Sequence, residues 1–108
     1  MIWIISGTQD GREIGAALAD REQSKPEGER REILMTVVSQ YGKVLAAHKG
    51  LDIEVGRFRE EDMLRVIAEK GISLILDASH PYAAIVSETA HAACTKAGID
   101  YVRYERAE

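Results

Sequence analysis

The sequence of 108 residues is 45% hydrophobic and 30% charged, with 14 basic against 18 acidic side chains and a net charge of -4, the make-up of an ordinary folded domain. That balance offers no clustered basic face for nucleic acid and no polybasic anchor for an anionic membrane, so neither is an expected partner. The opening run MIWIISG is too short for a signal h-region or a membrane span, and the expected location is the cytoplasm.

Residues 2 to 6 are a β-branched and aromatic run closed by Gly7, the pattern of a buried strand and a tight turn. A helix follows, with Ile14, Ala17 and Leu18 as its apolar stripe. The charged stretch 21 to 32, which contains Pro26 and Gly28, reads as an exposed connection whose charges only solvate it. Residues 33 to 39 are a second strand, Tyr41 and Gly42 begin a turn, and a short helix covers residues 43 to 48. A third strand spans residues 51 to 58. REEDMLRVIAEKG then places Met63, Leu64, Ile67 and Ala68 at helical spacing, with acids in the first turn and Lys70 and Gly71 at the end, as the dipole and a glycine cap favour. Residues 72 to 79 form a fourth strand, residues 81 to 97 a helix closed by Gly98, and residues 99 to 105 a fifth strand. Apolar strands alternating with helices imply an α/β fold: a Rossmann-like, doubly wound parallel sheet of about five strands in the order 3-2-1-4-5, with helices on both faces.

In that order the chain reverses direction between strands 1 and 4, and a crevice opens at their carboxyl ends. Two loops face each other there, SGTQDGR (6 to 12) and DASHPYA (77 to 83). In the first, Gly7 lets backbone approach a ligand, Thr8 offers a hydroxyl and Gly11 permits close helix packing, either as a phosphate cradle or as a plain strand-to-helix turn. Only Gly7 and Gly11 of a full G-x-G-x-x-G are counted. The second strand ends in Ser39 and Gln40 rather than an acid, with Lys43, Arg57 and Arg12 as possible cations, which favours the 2'-phosphate of NADP over NAD.

In the second loop Pro81 suits the first helical position, so Ser79 or His80 is expected to cap a helix aimed at the crevice. His80 serves as proton donor, as ligand contact or simply as cap; Tyr82 orients a ring or packs beneath the loop; Asp77 bonds the turn. Cys94 reads as a small apolar helix residue, and His48 and His91 as surface positions without a second ligand at metal spacing, so no metal site is expected. There is no C-x-x-C, H-E-x-x-H, G-x-S-x-G or complete Walker motif.

Read in order, IIxGTxxGR, VVSxYG, EVGR, DASHPYA and RYER resemble the precorrin-6A reductase family of cobalamin biosynthesis along essentially the whole chain. The resemblance implies two-lobed Rossmann-type reductases that use NADPH to reduce a double bond of a precorrin or cobalt-precorrin macrocycle. It implies cofactor contact at Gly7, Thr8, Gly11 and Arg12, with Ser39, Gln40, Tyr41 and Gly42 towards the ribose and 2'-phosphate, and Gly56 and Arg57 beside them. Ser79, His80, Pro81 and Tyr82 would border the nicotinamide and the tetrapyrrole, and Arg103 and Arg106 the domain junction. Ser6 departs from the family's usual glycine, and Gln9 with Asp10 replaces its usual small or glutamate pair. Family members are roughly twice this size, as two domains require, so residues 1 to 108 are expected to be one NADP-binding domain that lacks its carboxyl-terminal partner. Two rival readings are a free-standing nucleotide-binding module and an unrelated short NAD(P)-dependent reductase. The absence of Tyr-x-x-x-Lys counts against the second of these.

Overall fold

In the computed structural model, which describes residues 1 to 105, five parallel strands form one sheet: β1 (Ile2–Ser6), β2 (Ile33–Val37), β3 (Leu51–Val55), β4 (Leu74–Ala78) and β5 (Asp100–Arg103). Their order is β3-β2-β1-β4-β5, as the alternation of elements predicts. The register sets Ile2 beside both Ile33 and Leu74, and Ser6 beside Ala78. Every residue of β1 and β2 is buried, which is why both read as unbroken apolar runs.

Helices α1 (Gln9–Gln23) and α2 (Gln40–Ala46) cover one face, and α3 (Glu60–Lys70) and α4 (Ala84–Ala97) the other. The side chains alternate accordingly. Ile2, Ile4, Ile33, Met35 and Val37 pack with Ala19 and Ala46 on the first face. Trp3, Ile5, Leu34 and Ile75 pack with Met63, Ile67, Ala90, Ala93 and Cys94 on the second. Trp3 Nε1 donates to Thr36 Oγ1 at 3.0 Å, so the one indole N–H is satisfied inside the core. Gly71 (φ 64°) and Gly98 (φ 71°) close α3 and α4 in the left-handed region, as expected.

Several details differ from the sequence reading, each for a local reason. The fully buried face of α1 is Gly11, Gly15, Ala19 and Glu22; of the expected stripe Leu18 packs half-buried against this core, Ile14 is half-buried and Ala17 is exposed. Small residues let the helix lie close: a Cβ at Gly15 would stand 2.1 Å from Met35 Cε. Helix α1 also runs on to Gln23, and within the supposed solvated stretch Glu22 is buried, accepting from Lys25 Nζ at 2.8 Å and the Arg31 amide at 2.7 Å. Helix α2 begins at Gln40 because Ser39 Oγ accepts the Gly42 amide at 3.0 Å, so Tyr41 and Gly42 lie in its first turn. Strands β2 to β5 are each shorter than read, ending where the polar loop residues leave the ladder. No helix among the described residues is long and apolar enough to cross a membrane.

Candidate functional site

The two loops at the carboxyl ends of β1 and β4 touch. Thr8 Oγ1 donates to the Ala78 carbonyl at 3.3 Å and accepts from the Gly11 amide at 3.1 Å, so a single hydroxyl caps α1 and latches it to the end of β4. Its one hydrogen is thereby used within the protein, leaving only acceptor capacity. A Cβ at Gly7 would lie 3.1 Å from the His80 amide nitrogen, and one at Gly11 would lie 2.9 Å from Ser6 Oγ and 3.1 Å from Ala78 Cβ. A methyl at Gly7 would need the second loop to give by a few tenths of an ångström, and one at Gly11 would displace the Ser6 hydroxyl and crowd Ala78, so both glycines suit a close approach.

Beside this junction, on the α1 and α2 face, a cavity of about 260 Å³ is lined by Ser6, Gly7, Arg12, Val37, Val38, Ser39, Tyr41, Gly42 and Leu45. Five of the residues singled out from sequence meet here: Gly7, Arg12, Ser39, Tyr41 and Gly42. Arg12 is half-buried on the second turn of α1, and its guanidinium has no hydrogen-bond or ion-pair partner among the described residues. Around the same strand ends, on the other face, an apolar cavity of about 220 Å³ takes in Gly56 and Arg57 with Ile5, Thr36, Phe58, Met63, Ile85 and Val86, and shares Ser6, Val37 and Val38 with the first. Gln40 and Lys43 are exposed and line neither. A larger hollow, about 440 Å³, lies at the amino-terminal ends of β1 to β3 between Met1, Arg30, Glu32 and Asp52, at the opposite end of the strands from both loops.

The expectation that Pro81 opens a helix capped by Ser79 or His80 is incorrect. The Ala83 amide donates to the His80 carbonyl at 2.8 Å and the Tyr82 amide to His80 Nδ1 at 3.2 Å, which closes a turn with Pro81 in its second place. Helix α4 starts only at Ala84, with Ala83 at the cap and no side-chain cap. His80 lies at the surface, as does Tyr82, which is 91% exposed, their ring centroids 5.0 Å apart; Tyr82 does not pack beneath the loop. With Nδ1 accepting, a neutral His80 ring carries its proton on Nε2.

Asp77 does far more than bond a turn. Its side chain is 0% exposed, and it accepts from the Ser79 amide at 3.0 Å, from Tyr101 Oη at 2.6 Å and from Arg103 Nη1 at 3.2 Å. Burial pushes its carboxyl up, but the hydrogen bonds from Ser79, Tyr101 and Ser87 outweigh this and hold it below the usual carboxylate value. Burial and the same bond to Asp77 push the Tyr101 phenol up to about 12. Arg103 Nη1 also donates to the Asp77 and Ser79 carbonyls at 3.1 Å and 2.9 Å, while Nη2 meets Glu105 Oε1 at 3.1 Å. Arg106, paired with Arg103 in the sequence reading, lies outside the described residues.

A sequence model described as precorrin-6x reductase CbiJ/CobK matches residues 1–108. The chain belongs to this family. Cobalt-precorrin-6A reductase of Priestia megaterium is 35% identical over 107 residues, covering 99% of this chain and 39% of the relative. That of Methanothermobacter thermautotrophicus is 32% identical over 106 residues, covering 97% and 33%. A solved structure titled CobK precorrin-6A reductase superposes with a TM-score of 0.77 at 25% identity, over 98% of this chain and 37% of its own. This chain therefore spans two fifths or less of the length of these CbiJ/CobK relatives, rather than half.

Within this member of the CbiJ/CobK family, sequence reasoning missed Gly15, Glu22, Tyr101 and the full part played by Asp77. Gly15 continues the four-residue spacing of Gly7 and Gly11, a signal of one closely packed helix face that was present in the sequence. The partnership of Asp77 with Tyr101 and Arg103 had no such signal, because it depends on the register of β5 against β4 rather than on their being neighbours. Among the described residues no group of three or more His, Cys, Asp or Glu is placed to hold a metal ion.

Proposed function

We propose that this chain is the dinucleotide-binding part of a precorrin-6A or cobalt-precorrin-6A reductase of cobalamin biosynthesis, acting in the cytoplasm on a macrocycle held between it and a further domain. The observation that carries the reading is the half-buried Arg12, without a partner among the described residues, in the cavity beside the Gly7 loop, at the point where the strand order reverses. Gly7 lines this cavity with backbone alone, where a phosphate oxygen could approach it, and Arg12 supplies the matching charge. The residues fit a phosphate-bearing dinucleotide: Gly7, Arg12, Ser39, Tyr41 and Gly42 would hold its charged part, and Gly56 with Arg57 would border the apolar cavity suited to a flat ring. NADPH, when bound, supplies the hydride.

The chain's own contribution is to orient and to exclude water. Thr8 and Gly11 fix the cradle without touching the ligand, and Ser79 fixes the lip that carries His80. His80, which lines neither cavity itself, would donate a hydrogen bond from Nε2–H to a bound group when neutral and a proton only as the imidazolium, and Tyr82 stands beside it at the surface.

Fluorescence titration tests the reading directly. NADPH should bind at least about tenfold more tightly than NADH, since a charge-assisted phosphate contact contributes roughly 1.4 kcal/mol or more. Arg12→Ala should abolish most of that preference with the fold intact. Binding of ATP alone, with no response to NADPH, would overturn the proposal.

A further inference from the structure

We propose that Arg103 and Asp77 are positioning residues for the cofactor crevice, setting the height of the His80 lip above the Gly7 loop from the far side of β4. This rests on the dinucleotide reading given above.

The ladder between β4 and β5 already joins Asp77 to Arg103 in register, so strand pairing alone needs no charged side chain at either position. Yet one guanidinium nitrogen, Nη1, reaches the Asp77 carboxylate and carbonyl and both the carbonyl and the hydroxyl of Ser79, all within 3.3 Å. The Tyr104 amide adds a further bond to the Asp77 carbonyl at 2.9 Å. Tyr101 closes the other carboxylate oxygen, and no buried side-chain polar atom among the described residues is left unsatisfied. A buried ion pair gains little net stability over apolar packing of the same volume, so its return is better sought in geometry than in folding energy.

What the pair fixes is the last stretch of backbone before His80. The Ser79 carbonyl that Arg103 holds belongs to the same peptide unit as the His80 amide, and that amide nitrogen lies 3.1 Å from where a Cβ at Gly7 would stand. Moving the Ser79 carbonyl therefore moves the wall of the Gly7 cradle. Arg103 acts through this peptide and lines neither cavity at the crevice. The contacts converge on one nitrogen, which is held in place because Nε and Nη2 of the same planar group both meet Glu105 Oε1; a lysine keeps the charge but lacks that second anchor.

The test compares Arg103→Lys and Asp77→Asn with Ile67→Val, a core change in α3 away from both loops. The readouts are NADPH titration, thermal midpoint and the amide resonances of Gly7 and His80. Arg103→Lys should remain folded, shift both amides and weaken NADPH binding about tenfold, while Ile67→Val at a similar loss of thermal midpoint should shift neither amide and bind as the parent does. The proposal is overturned if Arg103→Lys leaves both amides and the affinity unchanged, or if Ile67→Val weakens binding equally. Should Asp77→Asn fail to fold, the lysine variant decides alone. Should the parent chain itself not bind NADPH, the cofactor reading fails, and the amide shifts still decide whether Arg103 sets the lip.

Discussion

At the scale of single residues the crevice is governed by what does not fit. Gly11→Ala places a methyl 2.9 Å from Ser6 Oγ and 3.3 Å from the Ala78 carbonyl, and is expected to cost about 1–3 kcal/mol in urea unfolding, as overpacking does. Gly28→Ala, with nothing within 4 Å, should be neutral or slightly stabilising in the same experiment. Titratable groups give a second check. The Asp77 carboxyl is depressed below its ordinary 3.8, so its contribution to stability is complete above that value and is lost as pH falls through the folded one. Asp77→Asn should accordingly flatten the acid limb of a stability profile. At the other end, burial and the Asp100 charge push Cys94 up to about 11, and Tyr101 lies at about 12. Both are raised, so their stabilisation is whole below pH 9.0 and 10.0 and is lost as pH rises through about 11 and 12. Urea midpoints should fall between pH 9 and 11, less steeply in Cys94→Ala.

At the scale of elements, helix ends separate what local sequence can specify from what it cannot. Lys70 and Gly71 announce the end of α3, and Gly71 indeed takes a left-handed φ of 64° with open space around it. Gly71→Ala should then cost roughly 1 kcal/mol from backbone alone, with Gly71→Asn costing less, measured by thermal unfolding. The strands, their order and the meeting of the two loops were legible because a buried parallel strand must be apolar and a crossover must be helical. The start of α4 was not. Pro81 suits a first helical turn and a tight turn equally well, and the choice was made by the His80 carbonyl and ring, which bond the amides of Ala83 and Tyr82. The gathering of residues at the crevice was legible for Gly7, Arg12, Ser39, Tyr41 and Gly42, because they follow β1 and β2, which lie side by side. It was illegible at Asp77 and Arg103, whose partners lie on a neighbouring strand 26 residues away.

At the scale of the whole molecule, β5 is part of the site although it carries none of the lining residues of either crevice cavity. Stopping the chain after Gly98 would leave Asp77 buried without Tyr101 or Arg103 and uncover one side of β4. Removing one partner of a buried pair costs about 3–5 kcal/mol, so this shortened chain should lose cooperative unfolding by circular dichroism, whereas Val102→Thr, on the exposed part of β5, should not. The central place of β1 carries a further consequence, one of timing. The strand made first needs a neighbour on each side, and the second of these is β4; the Thr8 bond to Ala78 closes over 70 residues of chain. At roughly 5–20 residues per second of synthesis, an apolar ribbon waits several seconds on the ribosome before it can be covered. The crevice can exist only once β4 has been made, and the newborn chain is most open to misassembly while its future binding site is still in two pieces.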